Sequence, residues 1–372
     1  MDKTKAILTS ASDTYEVSET IKAAEKKKAF FTYGTLSKYR SELMGIAMLC
    51  VMFFHAYDFD FEFEILNTVR SLGFGGVDIF IMLSSMGLVV SLSKRKQEYG
   101  EFMSRRISRL FPGYLIVMIP YTVFQILHYG APWSSLFWNS TLLSYWVRCG
   151  GRFNWYITGI MIFYIITPHF FKKFSVSKHR EFLTSAWIAV CLLVSQLLMQ
   201  EGYWNFMDII YRFAPFILGI LMGFYVLSNK RFGVKSMVIH TLSLAAGIFY
   251  YFVSVYVSKL EIRLFLPFCH IFIFTTIPVC LFICFLFDKL PLGILRKFFS
   301  FIGKNSLEIY LLNVSLFTET KLLRKYILIG FDARIYYLIT FMANILLGWG
   351  LHKAIELLTK FALKNRKVKA ET

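Results

Sequence analysis

Apolar residues run in long blocks along this chain, and polar residues collect between the blocks. A membrane-crossing helix needs about 20 mostly apolar residues. Ten stretches fit that description: 43–59, 72–92, 110–128, 154–173, 182–200, 207–227, 236–258, 264–287, 298–318 and 336–360. In lipid the backbone must satisfy its own polar groups, so each stretch is expected as a helix and not a strand. The Trp-rich stretch 133–147 is too short to span. It is expected as an interfacial helix between the third and fourth spans. No internal repeat is visible. The pattern predicts an all-α, polytopic membrane helix bundle of about ten transmembrane helices.

Composition agrees. Hydrophobic residues make up 56% of the 372 positions, charged residues 17%, and mean hydropathy is +0.55. A soluble domain keeps about 25% charged residues. A soluble globular enzyme, a disordered chain and a secreted disulfide scaffold are therefore excluded. The net charge of +18 comes from 41 Lys+Arg against 23 Asp+Glu. With the N-terminus placed inside, the inner segments hold 29 of these cations and the outer loops 9. That asymmetry predicts both termini in the cytoplasm and explains the basic balance without a nucleic-acid partner. The first outer loop is acidic instead, with Asp58, Asp60, Glu62 and Glu64. The first 40 residues are polar, carry Lys26, Lys27 and Lys28, and show no cleavable signal peptide. The expected division is a cytoplasmic tail over 1–35, a transmembrane domain over 36–360 and a basic cytoplasmic tail over 361–372. Of the six Cys, only Cys149 falls outside the spans, so no disulfide framework is expected.

Ionisable residues inside spans are costly and usually face a bundle interior or a cavity. His55 lies near the outer end of the first helix. Asp78 lies in the outer half of the second, which runs the other way, so the two share a depth. A His beside a carboxylate is the minimal general-base pair, because the carboxylate fixes the tautomer and steadies the imidazolium. A structural His beside an interfacial Asp is the competing reading. Arg40 precedes His55 by 15 residues, which separates them by about 60° around the helix and about 22 Å along it. Arg106 and Arg109 lie three apart in SRRISRLFP, so they share a face and suit phosphates. Positive-inside anchoring competes for all three arginines. Lys304 and Glu308 are spaced to pair within the ninth helix. Arg212 follows Asp208 by four residues, so that pairing competes with an anionic or sugar ligand. Trp155 and Tyr156 open the fourth helix, either as belt aromatics or as a stacking surface for a saccharide. His128, His169, His240, His270 and His352 show no spacing that suggests a metal site.

Several segments, in order, resemble the membrane acyltransferase-3 family. YRSELMGIAMLCVMFFH ends in His55 as the family's first helix ends in its His. GGVDIFIMLSSMGL at 75–88 is similar to its glycine-aspartate-phenylalanine-serine segment, and SRRISRLFP to its paired-arginine segment. WYITGIMIFYIITP at 155–168, RFAPFILGILMGFY from Arg212, and IGKNSLEIYLLN at 302–313 resemble later spans. The resemblance covers residues 36–358, and the order of these segments over ten spans carries it more than any one motif. It implies a multi-pass protein of the bacterial plasma membrane. The implied activity moves an acyl group, commonly acetyl, from cytoplasmic acyl-CoA to a hydroxyl of a cell-surface or lipid-linked carbohydrate. In that scheme His55 is the base and Asp78 orients it. Arg40, Arg106 and Arg109 hold acyl-CoA, and Trp155, Tyr156, Arg212 and Asn313 meet the acceptor. No metal is implied.

The chain departs from the family's pattern at four places. The family's first-helix Arg lies eleven residues before the His, where this chain has Met44; Arg40 sits one turn earlier on the same face. Ser85 stands where Gly is common, Asn313 where His is frequent, and Gly159 where some branches carry an acidic residue. A transporter of glycan, lipid or ions and a non-catalytic acyltransferase-like protein remain the competing functions. Against transport, no internal repeat and no pair of broken helices stands out in the sequence.

Overall fold

The computed structural model of the chain describes residues 31–56, 60–95, 97–147, 154–203, 206–259, 268–319, 330 and 332–371. The N-terminal lysine run, Asp58, Arg148, Cys149, Arg152, Arg263, Lys321, Arg324 and Lys325 lie outside these residues. The apolar blocks become helices, in chain order α1 (Gly34–Lys38), α2 (Arg40–Phe54), α3 (Glu64–Leu72), α4 (Gly76–Lys94), α5 (Tyr99–Tyr129), α6 (Ser134–Ser140), α7 (Ser144–Val147) and α8 (Trp155–Val176). There follow α9 (Arg180–Gln200), α10 (Met207–Leu227), α11 (Val234–Lys259), α12 (Ile271–Lys289), α13 (Gly293–Lys304) and α14 (Ser306–Leu312), the last continuing as a π-helical turn over Asn313–Glu319. The chain ends in α15 (Ala333–Glu371). Among the described residues the only extended pairing is one bridge between Thr32 and Arg231. Seven helices there are long and apolar enough to cross a membrane.

The expected spans and the helices agree closely in the middle of the chain, where α10 occupies 207–227. They differ at several places, among them three breaks or shifts of helix ends. The third helix begins at Tyr99 and not near 110, so its paired-arginine segment is helical. Pro112 and Pro120 lie within it. The interfacial stretch forms two short helices, α6 and α7, hinged at Leu142, whose φ of 63° is left-handed. The ninth stretch is not one helix: it breaks at Asn305, with φ −104° and ψ 10°, between α13 and α14. The Asn305 side-chain amide donates to the Phe301 carbonyl at 2.7 Å.

Small residues decide which helices meet. α4 packs along α10 more extensively than any other pair. Gly219 and Gly223 make that possible: a Cβ on Gly219 would overlap the Met82 carbonyl and Ser85 Oγ, and one on Gly223 would press on Val89. This is the small-xxx-small approach by which membrane helices gain van der Waals contact without a hydrophobic driving force between them. Ser85 fits the contact because its hydroxyl turns back to the Ile81 and Met82 carbonyls, both at 3.0 Å. α13 crosses α2 in the same way, with Gly303 against the Ser41 carbonyl and Gly45 against that of Phe299. That crossing carries α14 alongside α2 and aims its far end at His55.

Tyr33, Lys38 and Tyr39 are tied to the same end of the bundle as Arg40. Tyr33 is buried and its hydroxyl meets His240 Nε2 at 2.8 Å. Asp288 accepts from Lys38 at 2.6 Å and from the Tyr39 hydroxyl at 2.5 Å. Asp288 raises the pKa of Lys38 through that hydrogen bond.

Candidate functional site

Two cavities lie at opposite ends of α2. The first, about 480 Å³, opens beside His55 and is walled mostly by apolar side chains. Met52, Phe53 and Phe61 line it on one side, and Tyr337 and Phe341 of α15 on another. Its polar groups are His55, Asn313, Thr340, Glu62 and Arg334. Glu62 and Arg334 form an exposed ion pair at 3.2 Å across its rim.

His55 follows the last turn of α2, its backbone N–H donating to the Val51 carbonyl at 3.1 Å. Its Nδ1 is hydrogen-bonded to Asn313 Oδ1. With an amide oxygen as partner, Nδ1 must carry the hydrogen, which leaves the Nε2 lone pair free. Asn313 stands where α14 passes into the π turn, and such turns re-aim side chains at functional sites. The sequence expectation put Asp78 on this imidazole. The structure puts Asn313 there, which corrects the partner of His55.

Asp78 is instead turned to Arg212, with Oδ1 3.8 Å from Nε, and both side chains are buried. This pair ties α4 to α10, and Asp208, four residues before Arg212 on α10, also acts electrostatically on the guanidinium. The guanidinium also lies over the rings of Trp155 at 5.2 Å and Phe74 at 5.7 Å. One face of the Trp155 indole is therefore taken by Arg212. Asp78, Arg212 and Trp155 line neither cavity.

The second cavity, about 580 Å³, opens at the Arg40 end. Arg40, Arg106 and Arg109, picked out from two separate places in the sequence, all line it. Lys304 and Lys360 join them. Arg40 Nε donates to the Leu83 carbonyl at 3.1 Å, and Arg106 Nη2 to Ser91 Oγ at 3.2 Å. Lys360 is matched by Glu356 at 2.9 Å. Arg40, Arg106, Arg109 and Lys304 have no carboxylate partner among the described residues. Met44, at the family's usual Arg position, lines the same cavity as Arg40, so the arginine one turn earlier reaches the same space. Arg105 turns aside to Glu101.

Lys304 and Glu308 do not pair, contrary to their spacing. Glu308 is buried and Oε1 accepts from His352 Nδ1 at 3.1 Å, so a His–carboxylate dyad lies in the second cavity and not beside His55. Sequence reasoning missed this dyad because its members are 44 residues apart. The signal was one His in the last span without a partner. Among the described residues no group of three or more His, Cys, Asp or Glu is placed to hold a metal ion.

Aromatic rings line the second cavity at the end nearer His55, judged by their place along α4 and α14. Phe80, Tyr156 and Tyr310 are these rings. The Tyr156 and Tyr310 ring centres are 4.8 Å apart, and those of Phe80 and Tyr156 are 6.4 Å apart. Tyr156, expected to face an acceptor, belongs to this cavity. Tyr310, lining the second cavity, is three residues before Asn313, which lines the first, so about one helical turn lies between the two linings along α14.

No curated protein and no solved structure matches the chain. The acyltransferase-domain family does, over residues 43–353, from the Leu43 turn of α2 to the residue after His352. That match spans every side chain placed at the two cavities except Arg40, Ile355, Glu356, Thr359 and Lys360. Joined to the apolar helices, it shows that this multi-pass membrane chain belongs to the acyltransferase-3 family.

Proposed function

We propose that the chain transfers an acyl group from cytoplasmic acyl-CoA, acetyl-CoA first among them, to a hydroxyl of a cell-surface or lipid-linked glycan. In this reading ten spans cross the membrane, and the basic Arg40 end and both termini face the cytoplasm. The observation that carries it is the second cavity. Four cations without a carboxylate partner among the described residues converge on it, and a polyphosphate is the ligand that balances them. From Ser91 at the mouth to Phe80 at the end nearer His55 α4 rises about 16 Å, comparable to an extended pantetheine arm. The donor's phosphates then lie among Arg40, Arg106, Arg109 and Lys304, and its thioester lies at the Phe80, Tyr156 and Tyr310 rings. Movement of those rings joins the cavities.

The chemistry follows from the tautomer. His55 Nε2 takes the proton of the acceptor hydroxyl as its oxygen attacks the thioester carbonyl. The C–O bond forms, the C–S bond breaks, and the thiolate withdraws toward the second cavity. Asn313 holds the ring, and the Asp78–Arg212 pair fixes α4 against α10 beside it. The deciding experiment is acyl transfer from radiolabelled acetyl-CoA to surface glycan in membranes carrying the wild-type or the His55→Gln chain. Equal transfer by the two would end this reading.

A further inference from the structure

A buried polar stripe on α15 has no task in the scheme above. Asn344 is fully buried, and both its Nδ2 and its Oδ1 are without a hydrogen-bond partner. Thr340, one turn before it and lining the His55 cavity, has a buried Oγ1 in the same condition. Eight residues beyond Asn344 comes His352, bonded to Glu308 in the second cavity. Within that dyad His352 Nε2 and Glu308 Oε2 have no partner among the described residues. Gly348 packs on Ile309 and His352 on Glu308, so α15 runs antiparallel to α14. That register puts Asn344 about one turn nearer to the His55 end, level with Leu312 and Asn313.

Buried amides are almost always paired, and an unpaired one costs its full desolvation. An apolar side chain would pack this helix better. Thr340, Asn344 and His352 therefore mark a polar line that runs from one cavity to the other over about 18 Å. A pantetheine arm presents two amide groups and a hydroxyl along its length, each needing a partner when drawn from water into protein. A phosphate cradle alone does nothing for them. We infer that Asn344 and the Glu308–His352 dyad form a rail that hydrogen-bonds the amide groups of the donor's pantetheine arm. This rests on the donor proposed above. The dyad meets the arm first, and Asn344 meets it once the Tyr156 and Tyr310 rings move.

The test uses the full chain in lipid nanodiscs and two probes, coenzyme A and adenosine 3′,5′-bisphosphate, by titration calorimetry. The second probe has phosphates and no arm. Asn344→Leu is expected to bind coenzyme A about 10-fold more weakly and to leave the bisphosphate unchanged. Because it removes an unpaired buried amide, it is also expected to melt no lower than wild type. The double variant Glu308→Leu, His352→Leu removes the dyad without stranding either partner, and a similar selective loss is expected. Equal losses for both probes, or no loss for coenzyme A, would overturn the rail while leaving the donor in place. A wild-type chain that binds neither probe would overturn the donor assignment and this inference with it.

Discussion

His55 and Asn313 are hydrogen-bonded through Nδ1 and Oδ1 although 258 residues separate them. A neutral amide cannot share the charge of an imidazolium as a carboxylate does, so its contribution is orientation. His55→Gln, which keeps a donor and an acceptor, is expected to lower acyl transfer by about 10²–10⁴-fold. Asn313→Ala frees the ring without removing the base, and a smaller loss of about 10-fold is expected. Both are read as transfer rates at matched protein levels, and near-wild-type transfer by His55→Gln would remove it from the chemistry.

The second cavity separates arginines that neighbour one another in sequence. Arg106→Ala, Arg109→Ala and Lys304→Ala are each expected to weaken coenzyme A binding by about 10- to 150-fold, the effect of one lost charge-assisted contact. Arg105→Ala, whose side chain is held by Glu101 outside the cavity, is expected to change nothing. A loss of the same size at Arg105 would reduce all four to general positive charge.

Asp78 and Arg212 form a buried pair, and removing one member strands the other. Asp78→Leu or Arg212→Met is expected to destabilise the fold by about 3–5 kcal/mol. The double variant recovers most of that loss, because two apolar groups leave no uncompensated charge. Thermal unfolding in detergent micelles measures the stability. Acyl transfer by the double variant then tells a structural tie from a direct role: transfer near the wild-type rate would confine the pair to structure.

Close helix approach at Gly303 and Gly219 tolerates no side chain. Gly303→Val and Gly219→Val are expected to prevent accumulation of folded protein, since each would place atoms on a neighbouring backbone carbonyl. Gly100→Ala, with nothing within 4 Å, is the control and is expected to fold normally. Monodispersity on size-exclusion chromatography distinguishes them.

Orientation is testable by thiol labelling. With the other five Cys changed to Ser or Ala, an impermeant reagent is expected to label Cys149 in intact cells. Labelling only after permeabilisation would invert the placement of the two cavities.

The helical membrane character of the chain and most helix ends were legible in the sequence. Apolar periodicity and length are local properties, and in lipid they leave a helix as the only outcome. His55 stands out because an ionisable group at membrane depth is costly wherever the rest of the chain lies, and the arginines because Arg40 shares a helix with His55 and Arg106 and Arg109 share a face at an inner helix end. Partnership is a different kind of fact. Asp78 and His55 share a depth, yet the rotation of α4 against α10 at Gly219 and Gly223 delivers Asp78 to Arg212. Lys304 and Glu308 have the spacing of a pair, yet the helix breaks at Asn305 between them and Glu308 swings to His352. Asn313 meets His55 only because Gly45 and Gly303 let α13 cross α2 closely. Depth along a helix is written in residue count. Direction around it is set by which surfaces can approach, and that is a property of the folded bundle.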